Sequence, residues 1–256
     1  MIDVDKTDGG AVWILTLNRP PANALNLQVL SQLREIIEEA DRDRSIRSIV
    51  ITGHGPKFFC AGADLNAFAS ADMANAWQAA KAFSDTFSAL QHARPVVVAA
   101  INGYAMGGGL ECALSCDIRV AEDHAQLALP EASVGLLPSG MGTQTLPWLV
   151  GEGWAKRLIL TGERISAETA ARIGLIEEKV PTGKSVECAL ELAHKVRGQS
   201  PDAVHACKQL ISLARNGVSR PAALTVERDR FVQLFTHENQ WEGVNAFLEK
   251  RRPVWT

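Results

Sequence analysis

The chain has little of what several common protein classes require. It carries one tyrosine and an aromatic share of 6%, and its 26 Lys and Arg stand against 29 Asp and Glu, a formal net charge of -3. A phosphate backbone is held by a positive field, so nucleic acid is not an expected partner. No apolar run approaches the roughly 18 residues that span a bilayer. The opening stretch MIDVDKTDGG has acids where a secretory leader carries Lys and Arg. The expectation is a cytoplasmic protein with no membrane association. Five cysteines, an odd number, read as reduced thiols rather than a disulfide framework. What is present, 46% hydrophobic and 21% charged residues over 256 positions, suffices for one elaborated globular domain or a domain with an appendage.

Spacing removes several chemistries. Gly103 to Gly109 reads G-x-x-x-G-G-G, not the G-x-G-x-x-G of a dinucleotide fold, and no G-K-[ST] follows any glycine cluster. Cys112 and Cys116 are four apart with no third ligand near in sequence, so buried small residues are favoured over a metal site, and no metal is expected. His237-Glu238 lacks the second His of H-E-x-x-H, and Ser139 lacks the flanking glycines of a nucleophile elbow.

The first half alternates strand and helix signals, which predicts an α/β protein. Val12 to Leu17 predicts a strand stopped by Pro20-Pro21, and Asn26 predicts the cap of a helix with Leu30, Leu33 and Ile37 on one face. Strands are expected at Ile46 to Thr52, at Val96 to Ile101 and at Asp117 to Ala121, with a helix from about Met73 to Gln91 and a short one at Glu111 to Ser115. Val96 to Ile101 is apolar on both faces, as a central strand under helices must be. Beyond Ser139 helices dominate, with Ser166, Pro201 and Pro221 marking starts and Gly174 a stop. The expected division is 1–194, a core holding the sites, and 195–256, a helical C-terminal region.

Two glycine turns and two glutamates carry the chemistry. Phe58 to Leu65 places small residues where a ligand lies against the main chain, though a tight turn before a helix is the simpler reading of that segment alone. Gly107-Gly108-Gly109 lies between a buried strand and a helix, where unpaired N–H groups collect positive partial charge. Two N–H groups converging on one oxygen make an oxyanion hole, suited to a thioester or ester carbonyl. Glu111 falls in the first helical turn, where the macrodipole favours its charged form and service as a base. Glu131 follows the apolar Leu127 to Pro130, and two such acids resist double ionisation, so one is able to hold a proton near neutral pH.

Taken together these segments resemble the crotonase superfamily, and within it enoyl-CoA hydratase. The resemblance rests on Asn18-Arg19-Pro20, Ala24-Leu25-Asn26, Ala61 to Leu65, Asn102 to Ala105, Gly107-Gly108-Gly109, Glu111, Pro130-Glu131, Gly142-Thr143-Gln144, Leu160-Thr161-Gly162 and Phe247 to Arg251. It implies a crotonase-like right-handed spiral of ββα turns with a helical C-terminal trimerisation region, giving homotrimers or hexamers of paired trimers. It implies that the amides of Ala63 and Gly108 bind the thioester oxygen, that Glu111 deprotonates water and that Glu131 protonates C2. Ala24, Leu25, Ala61, Asp64 and Leu65 are implied to contact coenzyme A, with Phe247 and Lys250 of a neighbouring subunit near the nucleotide. Trp77, Phe83, Leu110, Leu136 and Trp148 are candidates for the acyl pocket.

The implied reaction is reversible addition of water to a 2-enoyl-CoA, a step of fatty-acid β-oxidation, with coenzyme A as part of the substrate and no separate cofactor. Isomerisation, or another acyl-CoA lyase or hydrolase reaction on the same scaffold, is the alternative; an RNA-binding or non-catalytic role is the minor one. Hydratases keep both acids whereas isomerases commonly keep one, which favours hydration. The chain departs from the pattern at Met141 and Thr145, where the family often has Gly and Arg, and at Pro21, where many relatives carry a basic residue.

Overall fold

Val12–Leu17 is a strand (β2) whose Trp13, Leu15 and Leu17 point into the core from one face, and it sits between two partners. Ile2–Thr7 (β1), a strand that the acid-rich opening conceals, pairs with it antiparallel; Ser48–Gly53 (β3) pairs with it parallel on the other side. A parallel neighbour needs a crossover, supplied by the helix α1 (Leu27–Arg42). Asn26 caps α1 as its side chain accepts the Val29 N–H at 2.9 Å, and Val29, Leu30, Leu33 and Ile37 bury. Each such aliphatic side chain contributes about 1.5 to 3 kcal/mol when taken from water.

The computed structural model describes residues 1–69 and 72–256. After β3 come the short strand Phe58–Cys60 (β4), helix α2 (Met73–His92), the fully buried strand Val96–Ile101 (β5), Tyr104–Met106 (β6), helix α3 (Gly108–Leu114), Ile118–Glu122 (β7) and Gln126–Ala128 (β8). There follow α4 (Gly142–Thr161), Ile165–Ser166 (β9), α5 (Ala167–Arg172), Glu178–Val180 (β10) and α6 (Ser185–Arg197). The larger sheet runs β1-β2-β3-β5-β7-β10 and the smaller β4-β6-β8-β9. Both sheets advance in chain order through β3, β5, β7 and through β4, β6, β8, so the chain winds as stacked turns of two strands and a helix. The three-residue strands β4, β6 and β8 escape sequence reading because their periodicity is too short to register.

β4 and β6 pair in parallel, so both end on one side, where the chain leaves toward α2 and α3. The buried Arg119 of β7 ties neighbouring segments together: its guanidinium donates to the Leu175 and Cys116 carbonyls at 3.0 and 2.8 Å, and its N–H to Glu177 Oε2 at 2.6 Å. The chain forms two compact units, Met1–Ala193 and His194–Thr256. The second unit holds α7 (Pro201–Arg215), α8 (Arg220–Leu234) and α9 (Glu238–Leu248). Neither α7 nor α8 buries a residue, and Ile211, Phe231, Val232 and Phe235 are exposed. Its fixed point is the buried Asn239, whose amide donates to Asp202 at 2.8 Å and to the Thr256 carbonyl at 3.0 Å. Among the described residues no helix is long and apolar enough to cross a membrane.

Candidate active site

Two loops meet at the start of α3. Gly107 has φ 51°, and its carbonyl accepts the Glu111 N–H at 3.0 Å as the helix begins. The helix thus starts three residues before the sequence pattern suggests, leaving Gly108 with a first-turn N–H that meets no acceptor among the described residues. The second loop runs from Ala61 to Asp64 and is pinned by Leu25: the Leu25 N–H donates to the Gly62 carbonyl at 2.7 Å and the Asp64 N–H to the Leu25 carbonyl at 2.8 Å. Ala63 between them has an N–H that also meets no acceptor among the described residues. A Cβ added to Gly108 would stand 3.6 Å from the Ala63 nitrogen, so the two amides are neighbours. The third glycine serves packing, since a Cβ on Gly109 would collide with the Cys60 carbonyl of β4.

Glu111 is 2% exposed, yet its Oε1 accepts two main-chain N–H groups, from Gly140 at 2.9 Å and Gly142 at 2.8 Å. Burial pushes its carboxyl up to about 7; the Gly142 N–H opposes this, the nearby Glu131 adds to it, and the Gly140 N–H opposes it more weakly. The helix dipole alone predicts a charged Glu111, and loss of water outweighs it. Glu131 opens a short turn, Glu131–Val134, after Pro130. It is half-buried, and burial likewise pushes its carboxyl up. Its Oε2 is enclosed and has no hydrogen-bond partner among the described residues, while a Cβ on Gly107 would lie 2.9 Å from its Oε1.

Both acids line one cleft of about 150 Å³. Ala61, Gly62, Ala63, Gly107 and Gly108 form its main-chain wall, and Leu65, Phe68, Phe83, Val134, Leu136 and Leu137 its apolar wall. Glu111 and Glu131 are the only titratable groups among its described lining residues. An oxygen seated at the Ala63 and Gly108 amides would gain negative charge favourably, with a proton donor and acceptor at hand.

The expected site residues divide accordingly. Ala63, Gly108, Glu111, Glu131, Ala61, Leu65, Phe83 and Leu136 line the cleft. Leu110 does not: it is fully buried in the core, because its position on α3 turns it away. Trp77 and Trp148 are 68% and 59% exposed and lie outside the lining. Asp64 is already engaged. Its carboxylate accepts from Arg19 at 2.6 Å and from the Asn66 N–H and amide at 3.2 and 2.9 Å. Arg19 and Asn66 hold that carboxyl below its usual range. Arg19 also donates to the Ala24 carbonyl at 3.2 Å, so Asp64 and Arg19 fasten the loop that carries Ala24 and Leu25. Phe247 is exposed in the second unit, as is Lys250, which has φ 56°. Sequence reasoning missed the Gly140 and Gly142 donors and the apolar Phe68, Val134 and Leu137. The apolar run after Glu131 was the available signal for the last two.

The winding of paired strands and helices around two sheets, with a glycine-opened helix at the cleft, is that of the crotonase fold. The chain belongs to the enoyl-CoA hydratase/isomerase family, whose sequence profile matches residues 7–256. It is 42% identical over 247 residues to the 2,3-dehydroadipyl-CoA hydratase of Escherichia coli (strain K12), with 94% of each chain covered. It is 37% identical to the short-chain-enoyl-CoA hydratase of Clostridium acetobutylicum, over 95% of this chain and 93% of that one. Among solved structures, Pseudomonas aeruginosa DspI superimposes with a TM-score of 0.96 at 56% identity, covering 100% of this chain and 96% of that one. The enoyl-CoA hydratase from Bacillus anthracis superimposes with a TM-score of 0.94 at 38% identity, covering 99% and 98%.

Proposed function

We propose that the protein hydrates 2-enoyl-CoA thioesters to 3-hydroxyacyl-CoA. The observation that carries this reading is the convergence of Glu111 and Glu131 on one cleft beside two N–H groups that meet no acceptor among the described residues. The thioester oxygen sits at the Ala63 and Gly108 amides, which polarise the conjugated double bond and make C3 electrophilic. Water held by ionised Glu111 adds its oxygen to C3 as its proton passes to that carboxylate, and the π pair moves onto the thioester as an enolate. The enolate collapses by taking a proton at C2 from neutral Glu131. Glu111 ends protonated and Glu131 ionised, and exchange with solvent resets both. The two acids have unlike environments: burial raises the Glu111 carboxyl to about 7, where the two N–H groups on its Oε1 keep the ionised form populated at neutral pH, while Glu131, also raised by burial, has no donor on its Oε2 among the described residues.

Ala24, Leu25, Ala61 and Leu65 are assigned to the coenzyme A end of the substrate, and Phe247 and Lys250 to the nucleotide from a neighbouring copy in a homotrimer or paired trimers. Coenzyme A enters as part of the substrate, and no further cofactor takes part in this scheme. The test is conversion of crotonyl-CoA to 3-hydroxybutyryl-CoA by the wild type and by Glu111→Gln and Glu131→Gln. Each variant is expected to keep its circular dichroism spectrum and lose hydration; normal turnover by either defeats the proposal. Isomerisation needs one acid shuttling a proton between C2 and C4, so 3-enoyl-CoA turnover surviving in Glu111→Gln would assign that reaction instead.

A further inference from the structure

The segment that supplies the two donors to Glu111 contains a residue in an unfavourable conformation. Met141 has φ 78° and ψ 2°, the left-handed region, where a side chain with a Cβ is held at a cost of about 1 kcal/mol or more. It stands between Gly140 and Gly142, the two residues whose N–H groups reach Glu111 Oε1 at 2.9 and 2.8 Å. Its carbonyl accepts the Gln144 and Thr145 N–H groups at 3.0 and 2.9 Å, opening α4, and its side chain packs against the hydrophobic core. The flanking positions have no freedom. A Cβ on Gly140 would meet the Phe87 ring at 2.6 Å and Glu111 Oε2 at 3.0 Å; one on Gly142 would meet Glu111 Oε1 at 2.8 Å.

A turn that contains a left-handed residue can curl neighbouring N–H groups toward one anion. We propose that the left-handed backbone of Met141 is a positioning device for Glu111, turning the Gly140 and Gly142 N–H groups onto one carboxylate oxygen and fixing the carboxyl against rotation. Met141 touches no reacting atom in this scheme and acts through Glu111. The core-packed side chain offsets the backbone cost and keeps the turn from relaxing. Among the described residues Glu131 is the titratable group that faces Glu111; the neighbouring surfaces of α2 and of the loop before α4 offer the neutral Phe87 and Pro138.

The inference rests on Glu111 acting as the base of the proposed hydration, so the test has a readout independent of turnover. Met141→Ile keeps an apolar side chain of similar size but is β-branched, which the left-handed region rejects; Met141→Gly accepts that region freely. The Glu111 titration is followed by NMR of ¹³C-labelled glutamate in a Glu131→Gln background, assigned by the signal that Glu111→Gln removes. Met141→Ile is expected to raise the midpoint by about one unit, because N–H donors favour the charged form. In the presence of Glu131 it should lower kcat about tenfold or more with KM within about threefold, and move the acid limb of kcat to higher pH. Met141→Gly should restore the midpoint and most of kcat. An unshifted midpoint in a natively folded Met141→Ile, or equal damage by Gly and Ile, overturns the inference. If Met141→Ile fails to fold, Met141→Ala takes its place, with a smaller upward shift expected and an unshifted midpoint equally fatal. A shifted midpoint with no hydration by the wild type would retain the positioning role and remove the hydratase reading.

Discussion

The surroundings of Glu111 and those of Glu131 line one cleft yet are built on opposite plans. Glu111 is carried by a helix, is shut from water, and is held by two main-chain donors on a single oxygen. Glu131 opens a four-residue turn, is half-buried, and leaves Oε2 without a donor among the described residues. Donors that are already aimed favour charge without any reorganisation, and at Glu111 they oppose a burial that still raises its carboxyl to about 7, while at Glu131 burial raises the carboxyl with no donor on Oε2 among the described residues. The difference teaches that one kind of side chain meets opposite surroundings according to how deeply it is buried and where the backbone N–H groups point.

The largest effect that would sharpen this contrast is in the two amide variants. Because Glu111 is assigned both to orient water and to take its proton, Glu111→Gln should lower kcat by about 10³ to 10⁴, and Glu131→Gln by about 10² to 10³. Equal losses with identical pH profiles would break the comparison. Next comes Gly142→Ala, whose Cβ would press on Glu111 Oε1 at 2.8 Å and on Pro138 at 3.1 Å. Displacing the carboxyl this way should cost about 10²-fold in kcat, with KM nearly unchanged, in steady-state assays.

A smaller effect is on stability. The folded Glu111 titrates at about 7 against an ordinary 4.5, so the folded state binds its proton more tightly. That contribution is fully present below pH 4.5 and is lost as pH rises through 7, by at most about 3 kcal/mol. Glu111→Gln removes the titration, so between pH 5 and pH 8 the variant should gain on the wild type in urea unfolding. Parallel pH dependences for the two proteins would show that burial does not weigh on Glu111 as described. Smallest is Ser133→Ala on the Glu131 turn, which removes an exposed hydrogen bond to the Pro130 carbonyl at 2.7 Å. It should change stability by less than about 0.5 kcal/mol in urea unfolding.

Long elements with clear periodicity were readable. Val12–Leu17 and Val96–Ile101 have the predicted ends, and the helix capped by Asn26 buries the predicted Leu30, Leu33 and Ile37. The glycine cluster and both glutamates stood out because few structural roles demand three successive glycines before an acid. Loop partners were not readable: Gly140 and Gly142 are 29 and 31 residues from Glu111, and no local pattern announces a contact across that distance. Arg19 and Asp64, 45 residues apart, escaped for the same reason. Leu110 shows the converse error, in that closeness in sequence to Glu111 suggested a place in the cleft while the helical turn sends it to the core.

The sequence by itself determined the longer strands and helices, the run of glycines ahead of Glu111, and which acids were available for chemistry, because side-chain periodicity and backbone permissiveness are local properties. Only the tertiary structure decided that Glu111 loses its water, that two N–H groups from the loop before α4 meet it, and that Glu131 Oε2 is left without a donor among the described residues. Desolvation and hydrogen-bond partnership are properties of the surroundings, and surroundings exist only once distant segments have packed.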